Sequence, residues 1–248
     1  TSIDFKVKDF SLNKDAINAR FENLSLSSSL GLEITSFKSI VSYNENQFSA
    51  APFQIQSPHS EINANIQLDL QQKDLKTALW NVSVFESILG LKDIHLLNSS
   101  FGNSGEIQFA TEVNGSLNNF SASQICFSSP GTSFKGSLIA KDLFDDRKLY
   151  RIENNIERLS FSEESIKQLF PTAFGSILPS SLKHLGNLKI EGSQIFTEQS
   201  IVSNMVISSE AGEITSNLTL KDVSKIDNAY YQGQVSSKDF KLGTLLNN

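Results

Sequence analysis

The sequence predicts an all-β, mainly antiparallel fold, and three observations predict it. Ile62, Ala64, Ile66, Leu68 and Leu70 alternate strictly with Asn63, Asn65, Gln67 and Asp69, the period-2 pattern of a strand with one apolar face. Glycines such as Gly105, Gly115, Gly131, Gly192, Gly212 and Gly233 fall where strands begin or turn, and short glycine turns favour hairpins over long crossovers. A Lys-Asp-apolar unit recurs at Lys8-Asp9-Phe10, Lys141-Asp142-Leu143, Lys221-Asp222-Val223 and Lys238-Asp239-Phe240. It is expected to close strands, because Asp is a poor strand former and a good turn former while Lys blunts an edge.

The same alternation justifies the other strands in order: Ile3–Val7, Ala19–Phe21, Trp80–Val84, Ile107–Val113, Phe134–Ala140, Leu188–Ile190 and Val235–Ser237. From Gly186 to Leu246 the chain reads as strand after strand, and no catalytic motif interrupts it. One short helix is expected near 162–170. Ser160 and Glu163 have capping-box spacing, Ile166, Leu169 and Phe170 follow at helical intervals, and Pro171 stops the run. Ser87–Leu97 is a weaker helical candidate, and the segment between Pro171 and Pro179 reads as a loop. The spacing of the Lys-Asp units is too uneven for a solenoid repeat. No composition shift marks a boundary, so residues 1–248 read as one continuous β segment; any subdivision falls near 171–186.

Composition narrows the function. The 248 residues carry a net charge of −6, with a pI near 5.1. A clustered basic surface for nucleic acid is therefore not expected. Much of the positive charge also has a carboxylate beside it in Lys-Asp pairs. A single cysteine, Cys126, cannot form an internal disulfide, which fits a cytosolic protein or a bacterial envelope protein equally. No run of about 18 apolar residues offers a membrane-spanning helix. The first residues already alternate as a strand in progress, so the chain reads as a piece of something longer.

A search for chemistry ends without a site. His59, His95 and His184 lie far apart, with no ligand spacing to acids or to Cys126, so no metal or cofactor is expected. The nucleophile elbow, the P-loop and the dinucleotide fingerprint are absent. Asp145-Asp146 and Glu163-Glu164 are adjacent carboxylates that suit a turn and a helix N-terminus better than an acid–base pair. Asn23, Asn81, Asn98, Asn114, Asn119 and Asn217 begin Asn-x-Ser/Thr triplets, a weak signal in a chain this rich in those residues. An enzyme is not expected. What remains is apolar sheet area. It suits a closed sandwich, a lipid-facing barrel, or a sheet folded lengthwise into an open trough. Four tyrosines and one tryptophan make poor aromatic girdles, which disfavours the barrel.

One stretch carries a resemblance. Tyr150-Arg151-Ile152 is followed by Leu159-Ser160-Phe161-Ser162, then Ile166-Lys167-Gln168-Leu169-Phe170-Pro171. Next come Leu185-Gly186-Asn187-Leu188-Lys189-Ile190-Glu191-Gly192 and the run Gly212 to Leu220. Tyr231-Gln232-Gly233-Gln234-Val235 and Asp239-Phe240-Lys241-Leu242-Gly243-Thr244-Leu245-Leu246 complete the order. Over about a hundred residues this resembles the TamB proteins of Bacteroidota, within the AsmA-like superfamily. Phe5 to Leu12 looks like a second copy of the closing element. One departure is that Ser-Gln-Ile-Phe-Thr follows Gly192 where the family places a further glycine.

The resemblance implies an elongated, curled sheet of the β-taco type with an open apolar groove. It implies a long periplasmic protein of the bacterial cell envelope, anchored in the inner membrane by parts absent from this chain. Such proteins conduct phospholipid between inner and outer membrane, support outer-membrane assembly, and pair with an outer-membrane barrel of the Omp85 kind. No catalytic residue comes with the family. Read onto this chain, acyl chains would contact Ile62, Ile66, Leu68, Leu70, Ile107, Phe109 and Val113. They would also contact Leu188, Ile190, Met205, Ile207, Ile214, Leu218, Leu220 and Val235. The alternative for the same residues is a closed β-sandwich or solenoid, a binding or adhesion module of a cell-surface protein.

Overall fold

The computed structural model describes residues 2–28, 31–70, 77–144, 149–174, 180–222, 229–241 and 243. It is all-β and antiparallel, in two compact units, Thr1–Ala122 and Ser123–Asn248. The hydrogen-bonded order follows the chain from β1 to β15, with the two-residue β3 (Glu33–Ile34) beside β2, and it is not closed. Sequential hairpins explain this order: each short turn returns the chain against the strand just made.

The first unit contains β1 (Ser2–Leu12), β2 (Ala16–Ser27), β4 (Ser36–Asn44), β5 (Gln47–Gln56), β6 (Glu61–Asp69), β7 (Leu79–Gly90) and β8 (Glu106–Gly115). Register shifts fall part-way along its strands, between Ser39 and Val41, Ala50 and Phe53, Glu61 and Ala64, and Val84 and Ser87. Each bulge bends its strand and strengthens the local twist. Pro52 occupies one of them, where its missing N–H leaves no ladder bond unmade. The residues next to these shifts are small and buried: Ala19, Ser39, Ala50, Ala64, Ser87 and Thr111. Larger apolar side chains on the same face are half-exposed toward the strand ends. Small buried residues thus line the register shifts of the first unit.

The second unit continues with β9 (Phe120–Ser129), which starts in the first, then β10 (Thr132–Lys141), β11 (Arg151–Phe161), β12 (Leu188–Thr197), β13 (Ser200–Ser209), β14 (Gly212–Lys221) and β15 (Tyr230–Lys238). Here a glycine sits where two strands approach closely. Gly192 has φ +140°, and a Cβ there would lie 2.0 Å from the Asn204 carbonyl oxygen. A hairpin follows Gly192, pairing β12 with β13. Thr197 and Ser200 close it through a 3.0 Å hydroxyl contact and an N–H bond from Ser200 to the Thr197 hydroxyl.

Among the described residues, three short α-helices accompany the strands. The weaker candidate, Ser87–Leu97, divides: β7 runs to Gly90 and α1 occupies Leu91–Leu97. Asp93 in its first turn accepts hydrogen bonds from the hydroxyls of Ser57 and Ser60, tying the β5–β6 turn to the helix. α2 (Glu163–Leu169) is the helix expected near 162–170, but its cap lies two residues beyond Ser160. Ser160 and Phe161 remain paired in β11, opposite Lys189 and Leu188. The capping box is Ser162 with Ser165: the Ser165 N–H donates to the Ser162 hydroxyl at 3.1 Å, and the Ser162 N–H to the Ser165 hydroxyl at 3.0 Å. Serine at N3 serves as well as glutamate because both return an acceptor to the cap N–H. Pro171 opens α3 (Pro171–Phe174) where a loop was expected; residues 175–179 of that loop lie outside the described residues. A 3₁₀ turn follows at Ser180–Leu185.

Three of the four Lys-Asp-apolar units end their strands as expected, β10 at Lys141, β14 at Lys221 and β15 at Lys238. The fourth lies inside β1, where Asp9 falls in the register shift between Lys8 and Ser11 and pairing resumes to Leu12. Asp9, Asp142, Asp222 and Asp239 adopt left-handed φ of 49°, 52°, 56° and 53°. Asp is among the few side chains that tolerate this region, because its short polar group bonds locally. The adjacent acids Asp145-Asp146 lie outside the described residues.

Candidate functional site

In the first unit, register places the apolar residues of successive strands on one face. Val41, Ala50, Ile66, Val82 and Val113 stand opposite one another in a single row across β4 to β8. The row nearer one strand end is Ile17, Tyr43, Phe48, Leu68 and Trp80. Toward the other end Phe37 faces Ile55, which faces Ile62, while Leu89 faces Ile107. Phe109 is paired with Ser87 on the same face. Leu70 lies just past β6, half-buried, with its N–H on the Asn46 carbonyl. The opposite face carries Asn63, Asn65 and Gln67 with Gln54, Ser83 and Asn81.

The second unit repeats the arrangement. Leu159, Ile190, Ile207 and Ile214 form one row, and Ile156, Gly192, Met205, Ser216 and Val235 the next. Beyond lie Phe196, Ile201, Leu220 and Tyr231; Leu218 faces Ser203 and Gly233. Most of these side chains are half-buried. Three of the sequence-derived lining residues differ. Ile107 and Leu188 are buried by their neighbours, Leu188 in a cluster with Leu185, Ala211, Phe161, Ile207 and Phe240. Val235, on β15 at the end of the strand order, is 62% exposed.

A recess of about 600 Å³ opens at one end of the first unit, where Phe48, Leu68, Leu79 and Trp80 meet Asn44, Gln47 and Asp69. The Trp80 indole N–H is buried there without a partner among the described residues.

Charge sits away from the apolar face. Glu22 accepts from Lys8 at 2.7 Å and lies 3.5 Å from Lys6; the Lys8 hydrogen bond holds its carboxyl below the usual range. Arg20 reaches Asp9 at 3.2 Å, so the acid beside Lys8 pairs across the strands rather than with its neighbour. Arg151 donates to Glu153 and holds that carboxyl low, and Glu157 raises Lys135 through a 2.8 Å contact. These pairs are largely exposed and contribute little to stability. Among the described residues no His, Cys, Asp and Glu cluster could hold a metal. His95 Nδ1 lies 2.7 Å from the Phe101 carbonyl, and Cys126 is a half-buried free thiol.

Several residues of these faces escape a strand-by-strand reading. Phe21, Phe37 and Phe53 form a ring ladder with centroids 5.7 and 5.4 Å apart, yet sit on three different strands. Ile152, Ile156 and Leu159 on β11 look unpatterned in sequence because a register shift changes their phase. The signal that finds them is phenylalanine or isoleucine at matched heights once hairpin register is known. No protein-family model matches the chain, and neither a curated protein nor a solved structure does.

Proposed function

We propose that this chain is a segment of a TamB-like envelope protein whose apolar sheet face forms a groove conducting phospholipid between the inner and outer membranes. One observation carries the reading. In each unit a face rich in half-exposed Ile, Leu, Val and Phe backs onto a face rich in Asn, Gln, Ser and paired charges. A closed core would remove such side chains from water; here the buried residues beside the register shifts of the first unit are alanine, serine and threonine. α1 and α2 have seven residues each, about 10 Å of helix apiece, and the 3₁₀ turn sets Leu185 against Leu188 and Ile207 on the apolar face of the second unit.

Acyl chains fit such a surface energetically. A lipid with about 30 methylenes gains roughly 24 kcal/mol on leaving water, at ~0.8 kcal/mol per methylene. Exchange between a bilayer and an apolar groove leaves the net change small, which suits passage rather than capture. On this reading the protein works in the periplasm with an Omp85-type barrel, assists outer-membrane assembly, and needs no cofactor.

Leu68→Asp and Leu218→Asp test it. On a groove wall the charge stays partly in water, so each variant folds, with melting within about 1–2 kcal/mol of the parent, and loses co-purified phospholipid. In a closed core an unpaired buried charge costs several times that. Unfolding of both variants, or undiminished lipid, would contradict the proposal.

A further inference from the structure

The apolar face of the second unit is crossed by one row of uncharged polar side chains. Asn154 on β11 stands opposite Gln194 on β12, which stands opposite Ser203 on β13. Ile156, Gly192 and Met205 form the neighbouring row on one side; Ile152, Phe196 and Ile201 form it on the other. All three polar residues are half-buried. None of their side chains has a hydrogen-bond partner among the described residues.

A plain hydrocarbon lying on this face would strip water from two amides and a hydroxyl and return nothing, leaving each unsatisfied. A molecule carrying acceptors at the same height would restore those bonds. Amide N–H groups and a serine O–H are neutral donors, matched to a neutral acceptor. A phosphate would instead call for Arg or Lys, and the rows on either side hold only Ile, Gly, Met and Phe. At ~4.8 Å between strands the three residues span roughly 10 Å, room for the paired ester groups of a glycerolipid.

We propose that the Asn154–Gln194–Ser203 row holds the ester carbonyls of a diacyl lipid whose chains lie on the flanking apolar rows. This rests on the conduit reading and adds to it a preference for ester-linked chains.

The test compares a diacyl phosphatidylcholine with its dialkyl ether analogue, of equal chain length and identical headgroup, by native mass spectrometry on the purified chain. The ester lipid is expected to bind about three- to tenfold more tightly, the factor that one neutral hydrogen bond supplies. The double variant N154L/Q194L should bind both lipids alike, and the ether lipid at least as well as the parent does. Equal binding of ester and ether lipids by the parent overturns the row's role and leaves the conduit standing. So does a folded double variant that keeps the preference. Binding of neither lipid by the parent overturns the conduit reading itself. The parent comparison decides the matter whether or not the double variant folds.

Discussion

Ser39 shows how far this face departs from a conventional core. It lies at a bulge of β4, opposite both Phe21 and Phe53, with the Phe37 ring bridging those two. Its hydroxyl is buried with no partner among the described residues, in a residue 2% exposed. A small side chain is required here because three aromatic rings close over the position, and serine fits by volume at the cost of an unmade hydrogen bond. Ser39→Ala keeps the volume and removes the orphan hydroxyl. It is expected to stabilise the protein by about 1 kcal/mol, read as a rise in the denaturant midpoint at unchanged slope. A fall in the midpoint would mean that the hydroxyl makes a bond this geometry does not contain. The same scale explains three strand ends and one bulge: Asp142, Asp222 and Asp239 follow β10, β14 and β15, and Asp9 interrupts the β1 ladder, all in the left-handed region that few other side chains tolerate.

At the scale of elements, strand identity was written locally and strand bending was not. Alternation through Ile62–Leu70 and the Lys-Asp closers are properties of consecutive residues, so the strands and their ends could be read directly. A bulge shifts one strand against another by a residue, and only the partner reveals it. The shift between Ile156 and Leu159 is therefore silent in the sequence of β11. The polar row of Asn154, Gln194 and Ser203 is equally silent, since each residue alone is ordinary strand polarity and only pairing assembles them. The helix cap misplaced to Ser160 has the same origin: β11 holds Ser160 and Phe161 because β12 pairs with them. Gly192 was legible as a glycine but not as a point of close approach. Its φ of +140° and the 2.0 Å approach of the Asn204 oxygen leave no room for a methyl group. Gly192→Ala should destabilise the fold by about 2–3 kcal/mol, measured by thermal or urea unfolding. A neutral effect would show that β12 can straighten without disturbing β11 and β13.

For the molecule as a whole, the central claim is that one face of the sheet meets lipid and the other meets water. The strand pairing fixes which residues belong to which face, so neighbours one residue apart should behave oppositely. Ile66 and Met205 belong to the apolar face; Asn65 and Asn204 belong to its reverse. The most direct measurement places a photo-crosslinking amino acid at each of these four positions in bacterial cells and identifies the adducts by mass spectrometry. Phospholipid adducts at 66 and 205, with none at 65 and 204, are the predicted result. Equal labelling on both faces, or no lipid at 66 and 205 in protein that remains folded, would contradict it.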